Sequence, residues 1–137
     1  MKLALDVHGV ITENPPFFSK LSRAVLAAGG EVHVITGASS KSDIFERLAE
    51  YGIEYSHFYS LLDHCEQKGY EITWEGDRFW TDPTNWNRIK RDYCEEHAID
   101  LLIDDSPEYG EDFPCTGLFA CVNRRVSKCR GNSPDVL

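Results

Sequence analysis

Asp6, Thr36 and the pair Asp104-Asp105 each follow a short apolar, β-type run, and each could do chemistry. Asp104 and Asp105 place two acids side by side, a costly arrangement unless a cation neutralises them, so a divalent metal is their natural partner. An all-oxygen donor set of this kind favours Mg²⁺ over zinc. Gly9 lies three residues past Asp6 and allows a sharp turn in which backbone amides can face an anion. Thr36-Gly37 offers a hydroxyl and a free amide at a second strand end. A lone Asp after an apolar strand is as often a turn residue as a reactive one. Three such strand ends in one chain carry more weight than any of them alone.

The elements that must position these residues can be read along the chain. Lys2 to Asp6 is a first strand. A loop leads to Pro15-Pro16, which open a helix whose inner face is expected to carry Phe17, Leu21, Ala24, Val25 and Ala28, closed by Gly29-Gly30. Glu31–Thr36 is a β-branched strand broken by Gly37. Ser40 and Asp43 read as a capping box for a helix with Ile44, Leu48 and Tyr51 inward. A third strand is expected over Ile53–Tyr59 and a short helix over 60–68. Residues 71–80 read as a hairpin around Gly76. Asp82-Pro83 starts a helix with Trp86, Ile89, Tyr93 and Cys94 inward. Leu101-Leu102-Ile103 is a buried strand that runs into the two acids, and Gly117 to Val122 is the last strand. Strands alternating with helices imply right-handed βαβ units, a mostly parallel sheet and a site at the carboxyl ends of the strands.

With these elements in place, a resemblance becomes specific. The run from Leu3 through Asp6, His8 and Thr12 looks like the first motif of the haloacid-dehalogenase-like (HAD) superfamily. Val34-Ile35-Thr36-Gly37 is similar to the second motif. Leu101 to Asp105 resembles the fourth, in the double-Asp form of deoxyribonucleotidase-like members. The resemblance covers residues 2 to about 122. It implies a three-layer, Rossmann-like α/β sandwich with sheet order 3-2-1-4-5 and a minimal cap. It further implies a Mg²⁺-dependent phosphomonoester phosphatase in which Asp6 is the nucleophile. Thr36 and the Gly37 amide would then hold the phosphoryl oxygens, and Asp6, the His8 carbonyl and one or both of Asp104 and Asp105 would hold Mg²⁺. The third motif is a Lys or Arg ahead of the fourth; Lys90 is the choice, with Arg88 and Arg91 beside it on the same helix and a solvated basic face as the alternative. A dehalogenase is a weaker reading, because that chemistry needs no metal and leaves the double Asp unexplained.

One position departs from the pattern. Two residues after the nucleophile most of these phosphatases carry a second Asp that protonates the leaving group; here it is His8. Three outcomes are open. His8 replaces that acid, since an imidazole titrating near ~6.5 suits the work. Or the second half-reaction is lost, leaving a metal- and phosphate-binding protein with a regulatory or binding role. Or the ring faces solvent and does nothing.

Only 29 residues (7–35) separate Asp6 from Thr36, and a loop, a helix and a strand account for them, so no large cap fits there. The hairpin could overhang the site. Its Trp74, Phe79 and Trp80 are read first as its own small core and second as a platform for a ring. His33, His57, His64 and His97 have no spacing relation to the acids and are read as structural or surface residues.

Composition bounds the partners. The 137 residues carry 14 Lys+Arg against 23 Asp+Glu, a formal net charge of −9. That argues against a broad grip on a nucleic-acid backbone or an anionic membrane, and leaves room for a local pocket that takes a small phosphorylated substrate or a phosphorylated end. No apolar run approaches the ~20 residues of a membrane span, and Asp6 interrupts any signal-peptide core. Five cysteines, an odd number widely spaced, suggest reduced thiols and a cytoplasmic protein. Cys115, Cys121 and Cys129 cluster too loosely for a zinc site to be the first reading. The HAD-like core is placed at 1–122. Residues 123–137, with Arg124, Arg125, Lys128 and Arg130, are expected to be a loosely held tail, either a solvated basic patch or an aid to an anionic substrate.

Overall fold

A computed structural model of the chain describes residues 1–76, 78–111, 113–114 and 117–122. At its centre is β1 (Lys2–Leu5), paired in parallel on one side with β2 (Glu31–Thr36) and on the other with β6 (Leu101–Asp104). Beyond them lie β3 (His57–Ser60) and β7 (Leu118–Cys121), also parallel. The order is β3-β2-β1-β6-β7. The strands β4 (Thr73–Glu75) and β5 (Arg78–Trp80) form a separate antiparallel hairpin. Counting only the five strands of the parallel sheet, the order reads 3-2-1-4-5.

Helices cover both faces, and strand alternation decides which residues meet which helices. Leu3, Leu5, Val32 and Val34 point to one side and pack with Phe18 and Val25 of α1 (Pro15–Ala27) and Ile44 and Leu48 of α2 (Ile44–Glu50). Ala4, Ile35 and Leu102 point to the other side. There they meet Leu61 and Cys65 of α3 (Leu61–Lys68) and Ile89, Tyr93 and Cys94 of α4 (Pro83–Glu96). The result is a three-layer α/β arrangement compatible with a Rossmann-like fold. No helix among the described residues is long and apolar enough to cross a membrane.

Three local expectations are corrected. The buried stripe of α1 is Phe18, Ser22 and Val25; Phe17 is 53% exposed, and Ala24 and Ala28 face solvent. The helix begins at Pro15 as expected, with Asn14 as its N-cap accepting from the Phe17 amide, and Val25 and Leu21 do face the core, but Phe18 packs inward in place of Phe17. Second, α2 is not entered through a capping box. Asp43 is its N-cap residue without capping it and pairs with Arg47, while Ser40 donates its amide to the Asp63 carboxylate. Third, the strand sought over Ile53–Tyr59 begins only at His57, because the Ser56 amide and hydroxyl already bond Val32 ahead of it. The expected tail, and with it Cys129 and Cys115, lies outside the described residues.

A second polar cluster sits near the amino ends of β2 and β3. His33, fully buried, bonds Tyr93 Oη through Nδ1 (2.7 Å) and Glu31 Oε1 through Nε2 (2.9 Å). Its ring stacks on His57 at 4.1 Å and 2°. Nitrogen lone pairs in two parallel ring planes do not converge on one point, so Glu31, His33 and His57 read as a hydrogen-bonded stack and not as a metal centre. Burial holds the His33 imidazole below its ordinary range; Glu31 opposes this, and His57 and His97 add to it. The unfolded chain therefore binds the extra proton first as pH falls. This contribution to stability is present above about pH 6.5 and is lost below it. Urea unfolding of His33→Gln beside the unsubstituted chain, from pH 8 to pH 5, should show the stability gap changing in favour of the variant as pH falls. A gap that stays constant over that range would mean the ring does not titrate differently on folding.

Candidate functional site

The register brings the acids together. Leu5 lies opposite Ile103, so the next residues, Asp6 and Asp104, are neighbours, and the Asp6 amide donates to the Ile103 carbonyl (3.1 Å). Both side chains continue the alternation of Ala4 and Leu102 and so leave the sheet on the α4 side. Lys90 enters from α4 and is as buried as the core around it. Its ammonium donates to Asp104 Oδ2 at 2.5 Å and lies 3.6 Å from Asp6 Oδ1. Asp104 Oδ1 accepts from the Ser106 amide (3.1 Å). Oxygens of Asp6, Asp104 and Asp105 all come within 4.8 Å of one another. Of the three basic residues of this helix, Arg88 is exposed and Arg91 pairs with Asp92, so Lys90 alone reaches the acids.

The electrostatics are unbalanced. One ammonium faces three carboxylates in a largely dry site. Burial pushes the Asp6 carboxyl up to about 7; Lys90 opposes this, while Asp104 and Asp105 reinforce it. Burial also raises Asp104, against the pull of Lys90. For Lys90 burial acts the other way, yet Asp6 and Asp104 outweigh it and hold the ammonium above the ordinary lysine range. An added cation would relieve the excess negative charge, and the donors are all oxygens, so the residues present fit a hard divalent ion such as Mg²⁺.

The loop after Asp6 is built for a tight turn. The Val7 carbonyl accepts from the amides of Val10 and Thr12. Gly9 has φ +86°, a conformation that favours glycine, and its amide donates to Thr12 Oγ1 (2.9 Å). His8 rides on this turn, exposed, and its ring makes no hydrogen bond among the described residues.

Thr36 is fully buried at the end of β2, and its hydroxyl accepts from the Ala38 amide (3.1 Å). No hydrogen bond ties it to the acids. The loop beyond Gly37 is held from α3: the Asp63 carboxylate accepts from the Ser39 hydroxyl and the Ser40 amide. Those bonds outweigh burial and keep Asp63 below its ordinary range. The link between this loop and the acids is Trp86 of α4. A Cβ on Gly37 would lie 3.3 Å from the Trp86 indole, and Trp86 shares a helix face with Lys90 one turn on.

Two residues of the site have no signal in the sequence. Tyr109, in a 3-10 turn after the acids, places its ring 4.3 Å from the Lys90 ammonium. Burial pushes its hydroxyl up, and Lys90 opposes that. Asp63 is the second; it lies 24 and 23 positions along the chain from the Ser39 and Ser40 it holds.

The hairpin rings only partly form a core of their own. Trp74 and Phe79 are directly paired, 5.5 Å apart, and Phe79 continues to Trp86 at 5.3 Å. Trp80 stands outside this row and is 58% exposed. Cys65 and Cys94 are buried free thiols, and Cys121 is exposed. No protein-family model matches the chain, and no curated protein matches it significantly.

Proposed function

We propose that the chain is a HAD-like, Mg²⁺-dependent phosphatase of small phosphomonoesters, with Asp6 as the nucleophile. The observation that carries this is the acid set at adjacent strand ends, in which buried Asp6 and Asp104 are bridged by the single ammonium of Lys90 and half-buried Asp105 stands close by. In this reading the Asp6 carboxylate attacks phosphorus and the ester oxygen leaves as the alcohol, giving an aspartyl-phosphate. Thr36 and the Gly37 amide hold the phosphoryl oxygens. Lys90 fixes Asp6 and Asp104 and offsets the charge that phosphate brings. His8 donates a proton to the leaving oxygen and takes one from the water that cleaves the acyl phosphate. Asp6, the His8 carbonyl, Asp104 and Asp105 would hold Mg²⁺, which screens the carboxylate from the phosphate it attacks. The sheet order and the small separate hairpin support the HAD-like assignment with a minimal cap. The buried free thiols of Cys65 and Cys94 support a cytoplasmic setting.

A second reading has its own observation. His8 is exposed, and no hydrogen bond among the described residues orients its ring, which favours a metal- and phosphate-binding protein in a regulatory role. A phosphomonoester screen with and without Mg²⁺ separates the two. Metal-dependent turnover supports the enzyme; metal binding without turnover supports the binding protein. If His8 is the acid-base group, His8→Ala should lower kcat by roughly 10²–10⁴-fold and leave metal affinity unchanged, because only the backbone of residue 8 would touch the ion. His8→Asp should keep or raise the rate. An inert protein that His8→Asp switches on would establish the second reading.

A further inference from the structure

A cavity of about 290 Å³ is lined by Phe79, Trp80, Thr81, Pro83, Trp86 and Asn87. It is an aromatic slot open to solvent, and two features tie it to the site. The Trp86 indole is common to both: it packs over Gly37 and it lines the cavity. The same helix face carries Lys90 to the acids. The slot is also unfinished. Trp80 keeps most of its ring in water where burial would be worth more, and the Thr81 hydroxyl in its wall is buried with no partner among the described residues. Aromatic walls that share Trp86 with the Gly37 loop form a two-part receptor, with an anion held at the loop end and a planar ring at the other.

We infer that the substrate is a phosphomonoester whose alcohol carries a planar aromatic ring, held by Trp80 and Trp86 while its phosphate meets Thr36 and Gly37. This rests on the phosphatase reading for the phosphate and on the slot alone for the ring. Stacking on an aromatic wall requires only a π-face, so nucleosides and simple aryl alcohols both satisfy it.

The test uses two matched pairs with the full chain and Mg²⁺: adenosine 5′-monophosphate with ribose 5-phosphate, and benzyl phosphate with cyclohexylmethyl phosphate. The aromatic member of at least one pair should have a kcat/KM about tenfold higher. Trp80→Ala should bring that ratio toward one, and Trp80→Phe should restore most of it. A preference confined to the adenosine pair identifies a nucleoside; a preference in both identifies any planar ring. Ratios near one in both pairs, or a preference that Trp80→Ala leaves intact, overturn the inference while the phosphatase reading stands. If all four esters are inert, the phosphatase reading fails and equilibrium dialysis with adenosine decides the slot. Saturable retention of adenosine, absent for ribose and lost in Trp80→Ala, supports it; no retention overturns it.

Discussion

Asp6→Asn should abolish turnover, with kcat falling by at least ~10⁴-fold, the scale on which a covalent nucleophile is missed. The fold should survive. Asparagine has nearly the same shape, and the Asp6 amide, which holds the strand register, is unchanged. Removing one of three crowded carboxylates also removes repulsion that Asp104 and Asp105 now exert on it. A thermal melt should therefore show an unchanged or higher Tm beside the lost activity. Residual turnover within tenfold of the unsubstituted chain would remove Asp6 from the role of nucleophile. A collapse in Tm would show instead that the carboxylate is needed to hold Lys90 in place.

Lys90→Met is the counterpart, and its main effect is on stability. The lysine stem is buried and methionine can fill much of its volume, so packing loss is small. What disappears is the ammonium 2.5 Å from Asp104 and 3.6 Å from Asp6. Removing one partner of a buried ion pair typically costs about 3–5 kcal/mol, because the remaining charge is left uncompensated. For a chain of this size that corresponds to a fall in Tm on the order of 10 °C. Adding Asp6→Asn to Lys90→Met should return part of the loss, since fewer carboxylates remain to repel one another. A Lys90→Met protein that melts with the unsubstituted one would mean that Lys90 contributes nothing net.

Much of this arrangement was legible before any coordinates. Apolar runs ending in Asp6, Thr36 and Asp104-Asp105 marked three strand ends, and parallel pairing puts such ends on one edge. Lys90 was reachable from its place on the helix that feeds β6. What escaped depended on long-range geometry. In α1 two adjacent rings compete for the inner face, and packing against the sheet settles on Phe18 where apolar spacing pointed to Phe17. Ser40 and Asp43 have capping-box spacing, yet Asp63 draws the Ser40 amide from another helix. The hairpin rings looked sufficient to one another; only the position of α4 shows that Phe79 leans on Trp86 and that Trp80 is left over. Tyr109 could not be assigned, because nothing local distinguishes it from the chain's other five tyrosines.

The face of α4 has a consequence for how this chain can vary in length. Trp86, Lys90, Tyr93 and His97 follow one another at steps of four, three and four residues. The first three meet in turn the Gly37 loop, the acids and His33, and His97 stacks on Tyr93 and tilts against His33. One residue inserted between Trp86 and Lys90 turns everything beyond it by about 100° relative to what came before. No side-chain rotation can absorb that. Helix α4 is therefore a ruler whose divisions cannot be respaced. Insertions and deletions are tolerable at the hairpin turn around Gly76, which precedes the ruler and leaves its phase untouched.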